Sequence, residues 1–216
     1  MEKAPLTQAQ LVAAAQEFCQ REHLYAKLFG VTDGKAVGTF IEHAFQAEIE
    51  GRYETRRGNS ASGLDLPAVE TDIKVTSLRQ PQSSSPFRSA RQKVYGLGYN
   101  LLLFVYEKQD LMRPRKAKLE FVSCAFIASH RTADYQTTRG ILEILERSGN
   151  HDDIFAFLAE RNLPADEIVL NALTDEILGT PPQLGYLTIS NALQWRLQYG
   201  RVVALDQAVS GIIKIV

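Results

Sequence analysis

The chain has 216 residues, of which 45% are hydrophobic and 23% are charged, and its formal net charge at pH 7 is −1. This length suits one large domain or two small ones, and the composition excludes the disordered and fibrous classes. No apolar run approaches the roughly 18 residues of a membrane span, and the opening sequence MEKAP lacks the apolar core of a secretory signal. We therefore expect a cytoplasmic protein without a membrane partner, in which Cys19 and Cys124 are packed thiols.

The predicted elements begin with two helices and continue as a mixture of strands and helices, which indicates a mixed α/β core. A capping box at Thr7 and Gln10 begins a helix that runs to about Lys27, and a second helix follows over about 35–53. Apolar and charged residues alternate over 69–76, which is typical of a strand. Further along, we expect a polar loop at 79–89, strands at 100–106 and 119–128, and helices at 88–97, 134–147, 151–161 and 165–178.

Chemically active side chains are concentrated at the start of the first strand. Asp72 and Lys74 are two residues apart, so on a strand they leave the same face, about 7 Å apart along the chain. Asp65 precedes the strand after a Gly-Leu turn, from which its carboxylate can reach that face; Glu70 is a rival for the same role. Two carboxylates suit Mg²⁺, which keeps several waters and binds substrate phosphate. A lysine beside such a metal supplies fixed positive charge and orients or deprotonates a water molecule.

The spacing Asp-x6-Asp-x-Lys resembles the motif of the PD-(D/E)xK nuclease superfamily, which includes most type II restriction endonucleases. The resemblance covers about residues 34–128. It implies an α/β restriction-endonuclease-like core, with a central mixed sheet flanked by helices. It also implies that Asp65 and Asp72 bind Mg²⁺ and that Lys74 is the catalytic lysine.

Two helices on either side of the strand extend this resemblance. Many members of the superfamily place a further acidic ligand on the preceding helix, where this chain has Glu42 in the pattern Gly38-x-x-x-Glu42. Some place a glutamine on the following helix, where this chain has Gln92. The chain departs from the common motif in having Leu64 before the first aspartate and aspartate, in place of glutamate, at position 72.

The small net charge hides an uneven distribution. Residues 52–93 hold 8 basic and 4 acidic residues, so the candidate site lies in a basic stretch. The loop directly after the strand adds guanidinium and hydroxyl groups that can contact phosphate and base edges. We expect DNA contacts from Arg79, Ser84 and Arg88, with a plain connecting loop as the alternative.

The C-terminal segment is similar to a winged helix-turn-helix. Ser190 can cap a helix that ends at Gly200, and residues 202–205 and 212–216 can pair as a hairpin. In that fold the second helix enters the major groove. Residues 151–216 hold 4 basic and 8 acidic residues, however, so a dimerisation subdomain is the alternative. The expected DNA-contacting residues are Ser190, Asn191, Gln194 and Arg196.

Together these features predict a nuclease core at 1–150 and a C-terminal helical, winged-helix-like subdomain at 151–216. The expected activity is that of a Mg²⁺-dependent type II restriction endonuclease that cuts double-stranded DNA as a homodimer, with a cognate methyltransferase encoded nearby. The catalytic set is Asp65, Asp72, Lys74 and Glu42. The alternatives are a repair, nicking or methylation-dependent endonuclease, and a non-catalytic winged-helix DNA-binding regulator.

Overall fold

The computed structural model describes residues 3–55, 64–85, 88–161, 163–190 and 195–216. The helices are α1 (Gln8–Gln20), α2 (Gly34–Arg52), α3 (Arg91–Tyr95), α4 (Tyr135–Glu146), α5 (His151–Glu160), α6 (Glu167–Gly179) and α7 (Gly200–Val203). The strands are β1 (His23–Tyr25), β2 (Thr71–Ser77), β3 (Gln82–Ser85), β4 (Asn100–Leu111), β5 (Lys116–Ile127), β6 (Thr188–Ile189), β7 (Trp195–Gln198) and β8 (Ile212–Lys214). None of the helices in the described ranges is both long and apolar enough to cross a membrane.

The chain forms two compact units, and neither is continuous in sequence. The first comprises Met1–Pro81, Asn100–Ile127 and Ala208–Val216, and the second comprises Gln82–Tyr99 and Ala128–Gln207. This grouping differs from the expected division near residue 150, because residues 128–150 join the C-terminal helices. The candidate motif at 65–74 lies wholly within the first unit.

The first unit is built on a mixed sheet in the order β1-β5-β4-β2, with β8 also paired to β5. Strand β2 runs parallel to β4, whereas β1, β4 and β8 run antiparallel to β5. The uninterrupted apolar run Leu101–Val105 is fully buried in the middle of this sheet. Helix α1 contacts β5 and α2 contacts β2, so helices flank the sheet. The α/β class with a central mixed sheet is therefore confirmed.

Helix α1 is shorter than the expected helix to Lys27. It ends at Gln20, where Arg21 is the C-cap in an extended conformation. The next residues, His23–Tyr25, pair with Leu119, Lys118 and Ala117 of β5. This pairing gives the backbone N–H and C=O groups of His23–Tyr25 hydrogen-bond partners on β5, which they would otherwise find within a longer helix.

The two cysteines, distant in sequence, meet within the first unit. Cys124 on β5 is buried and Cys19 on α1 is half-buried, and both are free thiols. Burial, followed by the hydrogen bond and charge of Cys19, raises the pKa of the Cys124 thiol. The expectation of packed thiols is confirmed.

The second unit combines a small antiparallel sheet with helices α3–α7. The sheet has the order β3-β7-β6, so the segment at 79–89 that was expected to be a loop contains a strand. The helices pack around a separate apolar cluster that includes Ile141, Ile154 and Leu158. Helices α4, α5 and α6 lie within a few residues of the positions expected from sequence.

The expected recognition helix near the C-terminus is wrong for the residues that the structure describes there. Trp195–Gln198 is a strand that pairs with both β3 and β6. Buried Trp195 and Leu197 alternate with exposed Arg196 and Gln198, the period of a strand with one covered face. The expected hairpin is also wrong, because Gly200–Val203 is a short helix and Ile212–Lys214 pairs with β5.

Candidate active site

Asp72 and Lys74 lie on one face of β2, as their spacing predicts. Lys74 Nζ and Asp72 Oδ2 are 2.6 Å apart, and the two side chains are 22% and 9% exposed respectively. A carboxylate this buried needs a partner, because desolvation of an unpaired charge is costly. The ion pair with Lys74 provides one, and it also holds the amine beside Asp72.

Asp65 is brought back against β2 by a tight turn. Leu66 and Thr71 exchange backbone hydrogen bonds of 2.9 and 3.1 Å, which close the segment between them into a loop. Asp65 Oδ2 then accepts a 2.7 Å hydrogen bond from the backbone N–H of Ile73, between the other two site residues. Its Oδ1 accepts a 2.9 Å hydrogen bond from Gln46 Nε2. The carboxylate of Asp65 is thereby fixed beside β2.

Glu42 on α2 completes a cluster of three carboxyl groups with Asp65 and Asp72. Burial, followed by the charge of Asp65, raises the pKa of Glu42 to about 7, against the opposing effect of Lys74. Burial also raises the pKa of Asp72 to about 7, where the charge of Lys74 opposes the shift and a hydrogen bond from the protonated Asp72 carboxyl group to Asp65 adds to it. The structure therefore brings together all four residues expected to be catalytic.

These carboxyl groups have the chemistry of a divalent-metal site. Among the described residues, no three His, Cys, Asp or Glu side chains converge closely enough to enclose a metal ion. Mg²⁺ does not require such a cage, because it binds through one or two carboxylates and retains waters and substrate phosphate. Mutual repulsion between partly buried carboxylates is relieved by a bound cation. The donor set of Asp65 and Asp72, with Glu42 beside them, fits this requirement.

Gln46 is a site residue that the sequence analysis missed. It lies one helical turn after Glu42, so α2 presents both side chains on the same face. This spacing was the available signal, but an amide on a helix is too common to single out. Glu70, the rival acid, precedes β2 and is exposed, with a left-handed backbone of φ 48°. It therefore falls outside the strand alternation that placed it on the site face.

Helix α2 approaches β2 closely because Gly38 has no side chain. A Cβ at this position would lie 3.0 Å from the Val75 carbonyl oxygen on β2. Glu42 follows one turn later on the same helix, so the approach at Gly38 sets how near Glu42 comes to Asp72. Glycine is used here for close packing, since its φ is not in the left-handed region.

Gly38→Ala is expected to impair both stability and activity by displacing α2 from β2. Overpacking of this kind costs about 1–3 kcal/mol, and a displacement on the order of 1 Å can cost about a hundredfold in rate. Gly51→Ala on the same helix is the control, because its Cβ would meet nothing within 4 Å. It should stabilise the protein by about 0.5–1 kcal/mol. Thermal unfolding and DNA cleavage of both variants test this, and equal behaviour would contradict the proposed packing role.

The residues expected to contact DNA are distributed over both units. Arg79 follows β2 in the first unit and lines a cleft of about 490 Å³ that Lys108 and Lys118 also line. In the second unit, Ser84 is on β3, Arg88 precedes α3, Ser190 follows β6 and Arg196 is on β7. Arg79, Ser84, Arg88 and Arg196 are exposed, and Ser190 is half-buried. Asn191 and Gln194 lie outside the described residues.

Gln92 has a local role in the second unit. Its Nε2 donates a 3.1 Å hydrogen bond to the Leu97 carbonyl, and its Oε1 accepts from the Arg88 N–H at 3.3 Å. The side chain is buried, with 8% exposure. These bonds tie together the backbone at the two ends of α3.

Comparison with known proteins gives a match over nearly the whole of the chain. The model of the family described as type II restriction enzyme NspV matches residues 5–214. The type II restriction enzyme NspV of a Nostoc species is 53% identical over 209 residues, which cover 97% of this chain and 93% of that enzyme. No solved structure matches. The matched range includes the whole carboxylate cluster.

Proposed function

The chain belongs to the family of the type II restriction enzyme NspV, and on that premise we propose that it hydrolyses phosphodiester bonds of double-stranded DNA at a specific sequence. The observation that supports this most directly is the cluster of Asp65, Asp72 and Lys74 on and beside β2. Acidic oxygens can hold a divalent metal beside the phosphate and an amine adds fixed positive charge, and both favour phosphodiester hydrolysis. The reaction is an endonucleolytic cleavage, as in restriction-modification systems.

Type II restriction enzymes use divalent metal ions, and we propose Mg²⁺ for this chain. Asp65 and Asp72 would hold the ion, and Glu42 would assist from α2. When bound, the metal supplies a Lewis acid that neutralises charge on the phosphate and lowers the pKa of bound water. Asp65 is suited to this role because Gln46 and the Ile73 N–H fix its orientation in advance.

Lys74 would act on the water that attacks the phosphorus. Its Nζ is held by Asp72 at 2.6 Å, so the amine is positioned before the substrate arrives. From there it orients the water by hydrogen bonding and offsets negative charge as the phosphate reacts. The carboxyl group of Glu42 can accept a proton from the water in this region of the site.

We also propose that the enzyme works as a cytoplasmic homodimer alongside a cognate methyltransferase encoded nearby. Each chain has one proposed active site, whereas a double-strand cut hydrolyses one bond in each strand, which two copies of the chain can do together. A two-fold dimer would match a palindromic target. In the same proposal Arg79 and Arg88 contact the DNA backbone, to which exposed guanidinium groups are suited.

Digestion of a mapped, unmethylated plasmid with and without Mg²⁺, followed by sequencing of the ends, tests the function. We expect discrete fragments with one common end sequence, formed only with the metal. Nicked circles would instead indicate a nicking enzyme, and cleavage restricted to methylated plasmid would indicate a methylation-dependent one. Specific binding without any cutting would contradict the proposal in favour of a regulator.

A further inference from the structure

The small sheet of the second unit has two faces of opposite character. Ser85, Trp195, Leu197 and Ile189 are buried on one face. On the other face, the strand register places Ser84 beside Arg196, and Gln82 and Thr188 on either side of Gln198. Ser84, Arg196 and Gln198 are exposed, and the remaining two are half-buried. The outward face is therefore entirely polar.

The chemistry of this outward face matches a polyanion with hydrogen-bonding edges. None of its five residues is acidic, although the chain from residue 151 onward holds 8 acidic residues and 4 basic ones. Arg196 forms no ion pair with any residue that the structure describes. Guanidinium and amide groups are the side chains that make paired hydrogen bonds to purine edges. On β3 the short Ser84 lies opposite Arg196, so the longer arginine side chain is prominent on β7.

The sheet is anchored from behind, so its outward side chains have a fixed backbone. Ser83 Oγ and Tyr199 OH are hydrogen-bonded to each other on its inner side. Ser190 Oγ accepts a 2.9 Å hydrogen bond from the backbone N–H of Arg196. The N–H of Ile189 donates to buried Asp134 at 2.8 Å. A rigid backbone keeps the loss of entropy on binding small.

We propose that this outward face reads the base edges of the DNA target, with Arg196 and Gln198 as the specificity-determining residues. The inference rests on the proposed function and replaces the expected recognition helix with a β-sheet. The major groove is about 12 Å wide and admits a two-stranded ribbon. Strands β3 and β7 pair over four residues each as such a ribbon, and β6 adds only Thr188 and Ile189 at the other side of β7. Ser84 on β3 and Ser190 directly after β6, expected to contact DNA on separate grounds, both adjoin Arg196.

The test compares cleavage at the mapped target with cleavage at duplexes that differ from it by one base pair. Arg196→Ala and Gln198→Ala should each lower the ratio of kcat/KM between target and changed duplexes by about tenfold or more at one base pair. Arg147→Ala is the matched control, because Arg147 is an exposed arginine at the end of α4 in the same unit. Its ratio should stay within about twofold of the parent's.

Arg196→Lys separates base reading from attraction to phosphate. Lysine keeps the charge but loses the planar fork that pairs two acceptors, so discrimination should fall while the salt dependence of binding stays the same. Full discrimination by this variant would overturn the inference for Arg196. Circular dichroism checks folding, and sedimentation checks oligomeric state. If Arg196→Ala, Gln198→Ala and Arg196→Lys all keep the parent's site preference, the inference is overturned, whether or not the oligomer dissociates. The proposed function would still stand in that case. Failure of the parent to cut DNA would overturn both.

Discussion

Asp72→Asn should abolish DNA cleavage while leaving the protein folded. The substitution keeps the size of the side chain but removes an oxygen anion from the proposed metal site and from the 2.6 Å pair with Lys74. Loss of a group acting on the transition state costs about 10²–10⁴ in rate, and here two roles are lost together. We expect a fall in kcat of about a thousandfold or more, measured in single-turnover digestion at saturating Mg²⁺.

The fold should tolerate this change well. Asp72 is buried beside Asp65, so the charged form of its carboxyl group is held at a cost in free energy. An amide at this position removes the repulsion, and the midpoint of thermal unfolding without metal should be no lower than the parent's. Activity would then fall without a loss of stability, as is common at catalytic sites.

Glu70→Gln provides the matched control for this experiment. Glu70 is also acidic and lies two residues before Asp72, but it is exposed and precedes β2. We expect its kcat to remain within about twofold of the parent's, as for most surface substitutions. Lys74→Met should resemble Asp72→Asn in activity. Parent-like cleavage by either site variant would show that these residues are not the catalytic ones.

The sequence was sufficient to find the candidate site because its two central residues depend only on local geometry. Alternation along β2 places Asp72 and Lys74 on one face whatever the rest of the fold does. Asp65 was identified from its spacing, but its orientation depends on the Leu66–Thr71 loop and on Gln46 from another helix. Such contacts between distant segments leave no periodic trace in a single chain, which is why Gln46 was missed.

In the C-terminal segment, by contrast, local patterns were not sufficient to predict the structure. Ile189, Leu193 and Leu197 are four residues apart, which predicts a helix face, yet Trp195, Leu197 and Tyr199 also alternate as in a strand. Over so short a run both periods fit, and tertiary pairing decides between them. Here the serine-rich segment at 82–85 pairs with β7 and selects the strand. Its polar composition indicates a loop, because serine is one of the residues that predominate in turns.

The largest expected effect on stability comes from Asp134, which holds the small sheet to α4. Its side chain is 2% exposed and caps α4 by accepting from Thr137 N–H at 2.9 Å and Thr137 Oγ1 at 2.7 Å. Its other oxygen accepts the Ile189 N–H of β6 at 2.8 Å. Asp134 also offsets the burial that lowers the pKa of Lys93. Its Oδ2 also lies 3.8 Å from Arg161 Nη2. One carboxylate thus satisfies a helix start and a strand edge, and its charge offsets those of Arg161 and Lys93.

Asp134→Ala should therefore destabilise the second unit by about 3 kcal/mol or more, because three buried donors lose their acceptor and a buried cation loses its counter-charge. Asp134→Asn should cost less, since an amide oxygen can still accept from the cap donors. The control is Asp166→Ala at the start of α6, where an exposed aspartate accepts only from the Val169 N–H among the described bonds. That variant should cost about 1 kcal/mol.

Urea unfolding followed by circular dichroism measures the free energy of unfolding of all three variants. A cost of Asp134→Ala no larger than that of Asp166→Ala would show that the carboxylate does not anchor β6. If Asp134 anchors β6, the preference for the target over changed duplexes should weaken in Asp134→Asn even where the protein is fully folded, because β6 supports the sheet face that bears Arg196.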